Sequence, residues 1–128
     1  MSNEKRVLII DDEPDSIDIV ESMLSEIEGI STLSANDGNS GLEKAEEAKP
    51  DLIILDVMMP ELDGFAACKK LKSSEKNEIP IILLTGVAEH IRNTNYPLDG
   101  VLRSDAEEYL EKPVNPEEIL RVVKKYLA

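Results

Sequence analysis

A chain of 128 residues, 41% hydrophobic and 32% charged, has the length and composition of one soluble globular domain with a real core. Its formal net charge of −13 argues against direct nucleic-acid binding, which needs clustered Lys and Arg, and suits a cation or a basic partner surface. The single cysteine, Cys68, rules out an intrachain disulfide and a cysteine metal cluster, no apolar run approaches a membrane span, and Met1–Arg6 lacks the apolar core of a secretion signal. The expectation is a cytosolic protein without membrane contact. No repeat, low-complexity segment or linker is visible, so residues 1–128 read as a single domain with a core from about residue 5.

In chain order, Lys5–Ile10 reads as a buried strand that stops at Asp11-Asp12-Glu13. Pro14-Asp15 opens a helix with Ile17, Val20, Leu24 and Ile27 on one face and Gly29 as its stop. A weaker strand covers about Ile30–Ser34, and Asn36-Asp37-Gly38 reads as a turn. Leu42, Ala45 and Ala48 mark a second amphipathic helix, ended by Lys49-Pro50. Asp51–Leu55 is a third strand whose apolar run Leu52–Leu55 stops at Asp56, and the turn-rich segment Pro60–Gly64 follows it. Asp63 or Gly64 opens a helix with Phe65, Cys68 and Leu71 inward. Ile79–Leu84 is a fourth strand ending at Thr85-Gly86, and Val87–Asp105 shows no clean period. A short strand at about Glu108–Glu111 ends at Lys112-Pro113. A helix then starts at Asn115-Pro116-Glu117-Glu118, with an N-cap residue, proline at the first helical position and an acidic first turn. Ile119, Val122, Val123, Tyr126 and Leu127 complete it.

Strands alternating with helices imply parallel pairing through right-handed crossovers, hence an α/β doubly wound sheet with helices on both faces. In such a sheet the carboxyl ends of the strands share one edge, where ligands bind. Asp11-Asp12, Asp56, Thr85 and Lys112 all stand at the ends of strands, so residues distant in sequence converge there. Several carboxylates in one pocket repel each other unless a cation sits among them, and a hard divalent ion such as Mg²⁺ takes carboxylate, water and phosphate oxygens. A carboxylate nucleophile with a metal, a lysine and a hydroxyl describes acyl-phosphate chemistry, in which Asp56 attacks phosphorus and Lys112 neutralises the transferred group.

The pieces VLIIDDEPD, LIILDVMMPELDG, the strand-end Thr85 and YLEKP, in this order and nearly the expected spacing, resemble the receiver domain of two-component response regulators from Lys5 to about Ala128. The resemblance implies a flavodoxin-like five-stranded sheet of order 2-1-3-4-5. It implies that Asp56 accepts a phosphoryl group from a sensor histidine kinase or phosphotransfer protein. Asp12, Asp56 and the backbone carbonyl of Met58 would ligate Mg²⁺, with Asp11 nearby through water. Thr85 and Lys112 would each hold a phosphoryl oxygen. Tyr109 takes the switch-aromatic position and would turn inward as Thr85 moves, changing the surface made by the fourth helix, the fifth strand and the last helix. A regulatory phosphoacceptor follows, not an enzyme beyond its own phosphorylation and dephosphorylation. The resemblance also admits a phosphorylation-dependent homodimer, and no output domain is encoded in these residues.

Taken singly, each residue has a plainer role. Asp11-Asp12 suits a solvated helix start, Asp56 a strand-end cap, Lys112 a surface lysine and Tyr109 a strand former. Met58 and Met59 suit core gap filling, Cys68 a small core position, and His90 receives no role. Three departures from the family pattern stand out. Gly86 replaces the usual alanine, Asp105 replaces the usual glycine, and the stretch from Thr85 to Lys112 is longer than is common, so the fourth helix is expected to be short, displaced or irregular. Apolar Met58 and Val87 cannot orient an attacking water, so autodephosphorylation is expected not to be unusually fast. The alternatives are a degenerate receiver acting as a phosphorylation-independent binding module, and an aspartyl-phosphate phosphohydrolase. The latter would want a second acid where Met58 stands. A flavin carrier of the same topology would want a Ser/Thr/Gly-rich phosphate loop where Asp11-Asp12-Glu13 stands.

Overall fold

A computed structural model of the chain describes residues 4–56, 70–71, 79–85 and 106–127. Within them the elements run β1 (Lys5–Ile10), α1 (Pro14–Leu24), β2 (Ile30–Ala35), α2 (Gly38–Ala48), β3 (Leu52–Asp56), β4 (Ile81–Thr85), β5 (Glu108–Glu111) and α3 (Pro116–Leu127). The strands form one sheet in the order β2-β1-β3-β4-β5, every neighbouring pair parallel. This is the flavodoxin-like order that the resemblance implies.

Every residue of β3 and β4 is buried. Both strands have neighbours on each side and helices over each face, so an apolar run is what such a position requires. Successive side chains point to opposite faces, which divides the core in two. Leu8, Ile10, Ile53, Leu55, Ile81 and Leu83 pack with Ala45 of α2 and with Leu71. Val7, Ile9, Leu52, Ile54, Ile82 and Leu84 pack with Ile17, Val20 and Leu24 of α1 and Ile119, Val122 and Val123 of α3. Helices therefore cover both faces, as expected.

Local chemistry sets the helix ends. Asp37 is the N-cap of α2, its Oδ1 accepting from the Ser40 N–H at 2.7 Å, so the expected turn at Asn36-Asp37-Gly38 is the helix start itself. Lys49 ends α2 in the left-handed region at φ 48°, just ahead of Pro50. A Cβ on Gly41 would lie 2.5 Å from Cδ1 and 2.9 Å from Cγ2 of buried Ile10, so only glycine lets α2 settle this closely on β1. Asn115 caps α3 as expected, accepting from the Glu118 N–H at 3.1 Å. Helix α1 stops earlier than its apolar period suggested. It ends at Leu24 with Ser25 as C-cap, and Ile27 packs on the core from the following loop.

At the amino edge of the sheet two carboxylates fasten neighbouring strands. Asp51, just ahead of β3, accepts from the Arg6 N–H at 2.9 Å, while its own N–H donates to the Arg6 carbonyl at 2.8 Å. Glu107, just ahead of β5, accepts from the Ile81 N–H at 3.0 Å and donates its own N–H to the Ile81 carbonyl at 2.9 Å. The helix read from Asp63 or Gly64, with Phe65 and Cys68, and the stretch 86–105, with Gly86, Val87, His90 and Asp105, lie outside the described residues.

Candidate functional site

The carboxyl edge gathers what the sequence distributes. Asp11 extends β1 by one ladder bond, its N–H donating to the Ala35 carbonyl at 3.1 Å. Asp56 is the last residue of β3 and Thr85 the last of β4. Lys112 follows β5 directly, and its N–H donates to the Thr85 carbonyl at 2.7 Å. Parallel pairing in this register brings the four strand ends level. Asp11, Asp56 and Thr85 are the buried polar residues of the described core, at 1%, 3% and 2% exposure.

Asp11, Asp12 and Asp56 each offer a carboxylate oxygen, and these oxygens lie within 4.8 Å of one another. Lys112 Nζ is 3.1 Å from Asp56 Oδ1 and 3.3 Å from Asp11 Oδ2, bridging two of the three. The other oxygen of Asp11 accepts from the Glu13 N–H at 3.0 Å. Asp12 Oδ1 is buried and has no hydrogen-bond partner among the described residues. Burial works against the Lys112 ammonium, but the charges of Asp56 and Asp11 and their hydrogen bonds outweigh it and hold its pKa above the ordinary lysine value. Three carboxylates against one ammonium leave a formal charge of −2 among these side chains. An unpartnered buried carboxylate oxygen in an all-oxygen, net-negative cluster is the donor set a hard divalent cation requires.

Residues 7–124 match the response regulator receiver domain family. The chain belongs to that family. This receiver is 39% identical over 125 residues to the alkaline phosphatase synthesis transcriptional regulatory protein PhoP of Bacillus subtilis, covering 96% of this chain and 48% of that protein. It is 36% identical over 126 residues to the protein PilH of Pseudomonas aeruginosa, covering 96% and 98%. The chain thus spans about half the length of the transcriptional regulators it matches, 44–48%, but nearly all of PilH. Among solved structures, the receiver domain of the sensor histidine kinase PA1611 from Pseudomonas aeruginosa superposes with a TM-score of 0.83 at 26% identity, covering 97% of this receiver and 98% of that chain. That structure has a magnesium ion coordinated in its active-site cleft.

Of the residues singled out in the sequence, Asp11, Asp12, Asp56, Thr85 and Lys112 share the carboxyl edge. Tyr109 lies on β5 opposite Leu83 and is 37% exposed. Met58 lies outside the described residues. The ion pair of Lys112 with Asp11 was not expected from the sequence, which suggested a more distant role for that carboxylate. Nor were Asp51 and Glu107 expected as strand fasteners, although each stands just ahead of a strand. A third unexpected group lies beside β5, where Glu108 Oε2 accepts from the Tyr126 hydroxyl at 2.8 Å and from Lys125 Nζ at 3.2 Å.

Proposed function

We propose that this receiver is a phosphorylation-controlled signalling module that accepts a phosphoryl group on Asp56, with Mg²⁺, from a sensor histidine kinase or phosphotransfer protein. The observation that carries the reading is the carboxylate cluster, in which Asp12 Oδ1 is buried without a partner among the described residues while Lys112 bridges Asp56 and Asp11. Asp12 and Asp56, with the Met58 carbonyl, are the groups that would hold the ion, and Asp11 would act through water. When bound, Mg²⁺ supplies charge neutralisation for the phosphoryl oxygens.

The chain's own residues do the rest. A carboxylate oxygen of Asp56 attacks phosphorus as the donor imidazole leaves, so an acyl phosphate forms while the phosphorus–nitrogen bond breaks. Lys112 moves its ammonium from the carboxylate pair to a phosphoryl oxygen, and the Thr85 hydroxyl donates to another. Tyr109, now at the surface, turns inward as Thr85 shifts, which alters the surface around β5 and α3 for a downstream partner or a second receiver. Met58 and Val87 are apolar and cannot orient an attacking water, so hydrolysis is not unusually fast, and the chain acts as a regulatory phosphoacceptor in the cytoplasm. A turnover enzyme is not the reading.

The test is incubation with acetyl phosphate and Mg²⁺ followed by intact-mass measurement. One added phosphoryl group is expected, lost in Asp56→Asn and lost without Mg²⁺. No addition under any condition would instead make the chain a phosphorylation-independent binding module. Repeated release of phosphate from a phosphomonoester would make it a phosphohydrolase, and a phosphoryl half-life of only seconds would overturn the slow-hydrolysis expectation.

A further inference from the structure

The sheet ends in two edge strands of very different chemistry. Strand β5, EYLE, carries Glu108 and Glu111, so two copies meeting along it would oppose like charges. Strand β2, ISTLSA, has no charge, no proline and no glycine, and it includes the β-branched residues Ile30 and Thr32. In a chain of net charge −13 this uncharged six-residue edge has the composition that pairs readily with another strand.

The ladder shows which groups of β2 face outward. The Lys5 N–H donates to the Gly29 carbonyl at 2.8 Å and the Asp11 N–H to the Ala35 carbonyl at 3.1 Å, so the odd-numbered residues of β2 serve β1. Successive residues alternate sides, which turns the N–H and C=O of Ile30, Thr32 and Ser34 toward the open edge. Antiparallel pairing of two such edges about a two-fold axis is self-complementary. Thr32 would face Thr32 of a second copy and Ile30 would face Ser34, with no charged side chain within either strand; the Thr32 hydroxyl donates to Glu21 Oε2 of α1 at 2.8 Å.

One cation stands in the way. Lys44, exposed on α2, extends its ammonium to the Ser34 carbonyl. That carbonyl is the acceptor an incoming Ile30 N–H would need, and symmetry doubles the loss. We propose that Lys44 closes the β2 edge, and that the surface it closes is a self-pairing surface for a second copy of this chain.

Sedimentation equilibrium of the full chain over a wide concentration range tests this. Lys44→Ala, which favours the helix it sits on, is expected to raise the weight-average mass above wild type toward a doubling. Lys44→Arg should behave as wild type. Adding Ser34→Pro to Lys44→Ala removes an outward N–H that β1 does not use and should return the mass to the wild-type value. Adding Thr32→Lys instead sets like charges across the axis and should do the same, which guards against a proline that perturbs folding. No mass increase in Lys44→Ala, or an increase that survives Thr32→Lys in a folded double variant, would overturn the proposal.

Discussion

At the amino edge of the sheet Asp51 and Glu107 each accept from a backbone N–H near the start of a neighbouring strand, at 2.9 and 3.0 Å. At the carboxyl edge oxygens of Asp11, Asp12 and Asp56 crowd within 4.8 Å, two of these residues share Lys112, and Asp12 Oδ1 has no partner among the described residues. The difference follows from strand polarity. Parallel strands begin with N–H groups that need acceptors, so an acid just ahead of a strand stabilises the ladder. They end in carbonyls, which offer a carboxylate nothing, so acids there depend on a lysine, a helix-start N–H or a metal ion. The same residue type is structural at one edge and chemically poised at the other.

The largest effect is expected on removing the shared cation. Lys112→Met leaves buried carboxylates uncompensated and should destabilise the metal-free protein by roughly 3 kcal/mol in urea unfolding, with Mg²⁺ restoring part of the loss. The pH dependence carries the same signature. Because the folded pKa of Lys112 is raised, its contribution is fully present below the ordinary lysine pKa and is lost as pH rises through the folded value. Wild type should therefore show an alkaline loss of stability that Lys112→Met lacks. A variant with unchanged stability and an unchanged alkaline limb would show that the cluster does not depend on its lysine.

The next effect contrasts the edges directly. Glu107→Ala leaves the Ile81 N–H without its carboxylate and should cost roughly 1–2 kcal/mol, with Asp51→Ala at or below the lower figure because its partner is more exposed. Asp12→Ala should have the opposite sign. Without Mg²⁺ it relieves charge repulsion and an unsatisfied buried oxygen, raising stability by about 1 kcal/mol, and it should abolish any stabilisation by added Mg²⁺. Carboxylate removals of the same sign at both edges would dissolve the distinction.

The smallest effect lies at the half-buried Glu108. Its hydrogen bond from Tyr126, then that from Lys125, hold its carboxyl below the usual glutamate range. A lowered pKa contributes stability that is present above the unfolded value and lost as pH falls through the folded one. Glu108→Gln should therefore match wild type in strong acid and fall slightly below it at neutral pH, read as a small difference in urea midpoint. A midpoint difference that grows toward acid would reverse the sign of the argument.

Much of the fold could be read from local pattern. The apolar runs Val7–Ile10, Leu52–Leu55 and Ile81–Leu84 announce buried parallel strands, and Asn115-Pro116 announces α3, because periodicity and caps act over a few residues. Strand ends were read to within two residues, since a ladder's last bond depends on its neighbour, as with Asp56 joining β3 beside Leu84. Ile27 misled because helical spacing continues past the point where Ser25 ends the helix, and the residue packs just as well from a loop.

By itself, the sequence determined the strand–helix alternation, the parallel sheet and the residue types at its carboxyl edge, since each is written in spacing or strand-end position. The tertiary structure alone decided which groups meet. Lys112 finds Asp11 across 101 residues of chain, Gly41 makes room for Ile10, Glu107 reaches the Ile81 N–H, and Lys44 covers the β2 edge. Those contacts depend on strand order and register, which are set by the packing of the whole core, so no short window of residues contains them.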